Sequence, residues 1–132
     1  MIPEYDSLAF ASASVRVRAQ RHQVLAANLV NADTPAFAAR DLDFPKELQR
    51  ALGGSAQPSL SATHHRHITT MRLGADRDLL YRVPAQPAVD GNTVDPDVER
   101  AHFAANTMGT ELAMMTLASA LRSRQTAWSG QA

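Results

Sequence analysis

Leu8, Ala11, Val15, Ala19, His22, Ala26 and Leu29 recur at steps of three and four residues, the repeat that lines up one face of an α-helix. Phe10, Val17 and Val24 lie beside that seam and widen it. Asp6 or Ser7 caps the start, since a short oxygen-bearing side chain there accepts from the first free N–H groups. Asn31, Ala32, Asp33, Thr34 and Pro35 end it, with turn formers before a proline that forces its predecessor out of the helical region. The pattern predicts a helix over 7–31, roughly 37 Å long.

A second seam lies near the other end. Val98, Ala101, Ala105, Met108, Leu112 and Met115 alternate at three and four, and the pattern continues through Ala118, Leu121 and Gln125. Asp95 and Pro96 supply an N-cap and a proline at the first helical position. Asp97 and Glu99 in the first turn, and Arg122 and Arg124 in the last turns, complement the helix dipole. Gly130 closes a helix predicted over 96–128, roughly 50 Å long.

The chain between these helices is less regular. Phe37, Leu42, Phe44 and Leu48 are apolar anchors, and Pro45 opens a short helix over 45–52. Residues 53–90 are rich in Ser, Thr, Pro and His, which marks a flexible or partner-ordered middle. Strand-like stretches near 67–73 and 79–83 allow a short β-hairpin there. The expected fold is therefore mainly α: two long terminal amphipathic helices pairing as a coiled-coil-like hairpin around an irregular middle. Segments 1–52 and 91–132 form one discontinuous domain, with 53–90 as the middle.

Composition narrows the function. Thirteen Lys and Arg balance thirteen Asp and Glu in 132 residues, so no net field draws the chain to nucleic acid or anionic lipid. There is no cysteine, which removes disulfides, thiolate chemistry and Cys-based zinc. The opening MIPEYDSLAFASASVRVRAQ has acids first and arginines after the apolar stretch, the wrong order for a cleaved secretory signal. No apolar run is long enough to span a membrane. Two helices alone bury one face each, so the free chain is expected to be partly ordered, with assembly supplying the missing contacts.

No constellation for catalysis emerges. His64, His65 and His67 cluster, but adjacent histidines on a polar loop with only Asp76 and Asp78 nearby do not make a tetrahedral set. Asp41 and Asp43 alternate without a calcium-loop pattern. No phosphate-cradling glycine loop or nucleophile motif frames the Ser, His and Asp residues. The belt Arg16, Arg18 and Arg21 has too few charges and aromatics for a nucleic-acid surface. The expectation is no enzyme, no cofactor and no metal. Met108, Met114 and Met115 fit either a packed helical seam or a subunit contact.

Two segments resemble a known family. In AQRHQVLAANLVNADTPAFAARDLDF, residues 19–44, Asn28, Asn31, Ala32, Asp33, Thr34 and Pro35 resemble the N-terminal signature of flagellar rod proteins, with Phe37 at its aromatic position. Arg40, Asp41, Asp43 and Phe44 resemble the continuation found in the proximal rod group, FlgB. DGNTVDPDVE, residues 90–99, is similar to the segment before the C-terminal helix of that group, through Asn92, Thr93, Val94 and Asp95, and Asn106 falls on a matching helix position. Ala36 stands where the family usually has glycine, and Thr110 where tyrosine is common.

The resemblance implies a structural subunit of the flagellar basal body. It would be exported by the flagellar type III apparatus and built into the helical proximal rod that transmits torque across the periplasm. Implied partners are further copies, other proximal rod proteins, and ring and export-gate components at the rod base. Neither nucleic acid nor a direct membrane span is implied. Asn28 and Asn31 then serve either as local caps at the end of the first helix or as subunit contacts, and the 92–95 junction has the same two readings. The alternatives are another rod or hook subunit, or a non-polymerising helical adaptor or type III secretion chaperone.

Overall fold

The Asp6 carboxylate accepts from the Leu8 N–H at 3.1 Å and opens α1, Ser7–Val30. The computed structural model describes residues 6–53, 79–84 and 88–130. At the far end of α1 the Asn31 backbone N–H and side-chain amide both donate to the Ala27 carbonyl, at 3.2 and 2.8 Å, closing the last turn. Strand β1, Arg40–Leu42, follows the turn. Asp43 then caps α2, Phe44–Leu52, by accepting from Lys46 N–H at 3.2 Å, with Pro45 in the first turn. Strand β2 is Leu79–Tyr81 and α3 is Pro96–Ser129. Asp95 caps α3 by accepting from the Asp97 and Val98 N–H groups at 3.0 and 3.3 Å. All three helices lie where the side-chain periods and caps put them.

The strands differ from expectation. β2 pairs antiparallel with β1, Arg40 opposite Tyr81 and Leu42 opposite Leu79, so the ladder ties the middle back to the segment after α1. The expected strand near 67–73 lies outside the described residues, as does most of the 53–90 segment read as flexible or partner-ordered.

Helices α1 and α3 lie antiparallel. Asn28 reaches Glu99, Asn106 reaches the Arg18 carbonyl, and Asp6 pairs with Arg124. The faces that meet are not the apolar seams. On α3 the buried residues are Glu99, Asn106 and Ala113, seven apart, with Phe103, Thr110 and Leu117 half-buried between them. The α1 side buries Ala11, Ser14, Val17, Leu25 and Asn28. Each contact face is thus offset by about one position from the expected seam. Leu8, Val15, Ala26 and Leu29 are half-buried and Ala19 is exposed, while Val98, Ala101, Ala105, Met108, Leu112, Met115 and Leu121 all face outward. The reason is that small and hydrogen-bonding side chains hold the helices together. The largest fully buried side chains are Leu25, Glu99, Asn28 and Asn106, three of them polar.

Ala36 has φ of +57° in the turn after α1. A Cβ in that left-handed region costs about 1–2 kcal/mol, which glycine escapes. Ala36→Gly is therefore expected to stabilise the chain by about 0.5–1 kcal/mol after the extra chain entropy of glycine is counted. A melting point raised by about 3 °C would register it, and an unchanged or lower one would contradict it.

Candidate assembly site at the junction of the end segments

Two asparagines fasten the segment after α1 to the segment before α3. Asn28, 1% exposed, donates from Nδ2 to the Arg40 carbonyl at 2.6 Å and accepts the Arg40 N–H on Oδ1 at 3.1 Å. Its amide thus mimics one residue of an added strand. Nδ2 also donates to Glu99 Oε2 at 3.2 Å, so the last turn of α1 is tied to both β1 and α3. Asn92, also buried, aims Nδ2 at the carbonyls of Asn31, Ala32 and Thr34, at 3.1, 2.6 and 3.0 Å. These carbonyls lie past the end of α1 and have no helical partner, which makes them strong acceptors. Its Oδ1 accepts from Val94 N–H at 2.8 Å.

The backbones complete the fastening. Ala36 N–H donates to the Asp90 carbonyl at 3.0 Å, Thr93 N–H to Phe37 at 3.0 Å, and Ala39 N–H to the Thr93 hydroxyl at 2.7 Å. Phe37 is half-buried beside Val24, Ala27 and Leu79. Asn31, Thr34, Phe37, Arg40, Asn92, Thr93 and Val94 therefore come together, while Asp33 and Pro35 stay on the exposed outer side of the turn.

A chain of charges runs under this junction. Arg21 donates to both oxygens of Asp41, from Nε at 2.9 Å and Nη2 at 2.8 Å. Arg82 donates to Asp41 Oδ2 at 2.7 Å and also to Glu99 Oε1, so one cation joins β2 to β1 and α3. Burial works against the Asp41 carboxylate, but hydrogen bonds from Arg21, the Leu42 N–H and Arg82, with the Arg21 charge, more than offset it and hold its pKa below the usual value. Arg21 is raised by the same hydrogen bond. A depressed carboxylate stabilises the fold above its unfolded pKa, about 3.9, and loses that contribution as pH falls through the lower folded value.

Farther along, Asn106 Nδ2 donates to the Arg18 carbonyl at 3.0 Å, and His22 stacks on Phe103 with ring centroids 3.9 Å apart. Arg18 lies over the Phe44 ring, 4.6 Å from its centroid. Gly109 makes room for it, since a Cβ there would overlap the guanidinium. Among the described residues no group of three or more His, Cys, Asp or Glu could hold a metal, and no helix is long and apolar enough to cross a membrane. His64, His65 and His67 lie outside the described residues.

No protein-family model matches the chain. It is 47% identical over 115 aligned positions to the flagellar basal body rod protein FlgB of Yersinia ruckeri, covering 82% of this chain and 83% of that one. Against the FlgB of Salmonella typhimurium the figures are 42% over 131 positions, with 92% and 93% covered. The Escherichia coli FlgB is 40% identical over 128 positions, with the same coverage. The chain belongs to the FlgB family of flagellar basal body rod proteins. The two segments that resemble FlgB by motif are the two fastened at this junction.

Three residues of the junction escape a reading of this FlgB-family sequence by pattern. Glu99 looks like an ordinary first-turn acid, Arg21 like part of an exposed basic belt, and Arg82 sits in the irregular stretch. The one signal available for Arg21 is its place two helical turns before Asn28, on the same face.

Proposed function

We propose that the chain is a structural subunit of the flagellar proximal rod. It assembles with further copies and other proximal rod proteins into the helical tube that carries torque across the periplasm. Its terminal helices pair there as a coiled-coil-like hairpin, and the junction residues set their angle and offset. Ring and export-gate components meet it at the rod base, and the flagellar type III apparatus exports it.

One observation carries this beyond family membership. The outward stripe of α3 is apolar and uncovered by the described residues, with Met108 71%, Leu112 66% and Met115 66% exposed. Contiguous exposed apolar surface on a soluble chain marks an interaction face. Small and hydrogen-bonding side chains make up much of the α1–α3 contact, so these large side chains of α3 remain for neighbours.

Circular dichroism and sedimentation of the purified chain, alone and mixed with the rod proteins of the same cell, test the reading. Large assemblies with a gain of helix on mixing are expected. A discrete, fully helical dimer that ignores those partners would replace the rod subunit with an adaptor or chaperone.

A further inference from the structure

Charge is distributed unequally between the long helices. Across Ser7–Val30 the charged residues are Arg16, Arg18 and Arg21, with no acid. Arg21 is answered by Asp41, but Arg18 makes no ion pair among the described residues. Arg18 lines a groove of about 200 Å³ between α1, α2 and α3, with Phe10, Phe44, Leu48 and Leu112 among its apolar neighbours there. Its Nε is buried without an acceptor among the described residues. The groove thus offers one cation inside an apolar rim.

The complementary surface is on the same chain. From Ala101 to Leu121 the only Asp, Glu, Lys or Arg is Glu111. It is exposed and unpaired among the described residues, and it lies on the outward stripe one turn from both Met108 and Met115. A lone carboxylate between two adaptable apolar side chains fits a lone cation in an apolar rim.

We propose that Glu111 of one copy pairs with Arg18 in the groove of the next, with Met108 and Met115 seated on the groove's apolar rim. The pairing rests on the rod-subunit reading and gives it a register. Leu112 belongs to both stripe and groove, so the two surfaces adjoin; with Glu111 of one copy on Arg18 of the next, the contact is head-to-tail, the kind that propagates into a helix when its rotation does not close a ring. Excluding water from the pair makes it selective, since a like charge at either position is strongly disfavoured.

The test replaces the chain in its own cells. Glu111→Arg changes an exposed side chain that touches no other described element, so it leaves the free fold intact. Swimming is expected to be lost in Glu111→Arg and in Arg18→Glu, and to return in the double variant. Normal swimming of Glu111→Arg would overturn the pairing while leaving the rod reading in place. No rescue in the double variant would overturn it too, unless the second measurement stands.

That measurement does not depend on Arg18→Glu folding. The chain has no cysteine of its own, so Leu48→Cys in one tagged copy and Glu111→Cys in another are the only thiols. A disulfide between the two copies in assembled rods supports the contact even where Arg18→Glu fails to fold. Its absence from rods that assemble would overturn it. If the unaltered chain never enters a rod, the rod reading fails first and the pairing with it.

Discussion

Asn28→Leu is expected to lose on the order of 4 kcal/mol of stability. Leucine has the same branched skeleton and is larger than asparagine, so the loss is not a cavity effect. It comes from three stranded partners: the Arg40 N–H, the Arg40 carbonyl and Glu99 Oε2. A buried polar group left unmade costs about 1–3 kcal/mol, and the leucine returns only part of that by burial. Because Asn28 joins α1, β1 and α3 at once, the helical signal of the free chain should collapse at much lower urea. A midpoint shift within the range of ordinary surface variants would contradict the account.

Glu99→Ala is the second large effect, about 3 kcal/mol. Glu99 is 1% exposed and accepts from Arg82 and Asn28, so its removal takes one of two carboxylates from the half-buried Arg82 guanidinium, leaving it Asp41 alone, and strands an amide hydrogen. Asp97, two residues earlier, makes an exposed pair with Arg100 at 2.8 Å and serves as the control. Asp97→Ala should cost no more than about 0.5 kcal/mol, because solvent and salt screen such pairs. Adding Arg82→Met to Glu99→Ala should cost less than the two singles summed, since the half-paired cation goes with it. Equal effects at positions 97 and 99 would place the stabilisation elsewhere.

Helix ends were legible because they are written in local chemistry. Asp6 and Asp95 cap the two long helices that the periodicity predicts, Pro45 opens the short one, and Pro35 follows the stop of α1. The contact faces were not legible, because hydrophobic period marks the greasiest stripe of a helix, not the stripe its own chain covers. On α3 those two stripes are neighbours: Val98, Ala105 and Leu112 against Glu99, Asn106 and Ala113. Periodicity discounts glutamate and asparagine, yet these are what α1 binds. The pairing of β2 with β1 escaped for another reason. Three-residue strands carry too little alternation to signal a register, and their partners lie about forty residues apart. The junction itself was partly legible. Family resemblance pointed to 28–44 and 90–95, but that Asn92 serves the end of α1 needs the fold.

The account turns on the outward stripe of α3 being covered in the rod. Thiol labelling of Met108→Cys and Met115→Cys, each against Gln49→Cys on the exposed side of α2, tests that directly. All three should label rapidly in the free chain. In assembled rods the two α3 thiols should become protected relative to their own free-chain rates, by a larger factor than at position 49. If positions 108 and 115 label as fast in the rod as in the free chain, the stripe is not the assembly face.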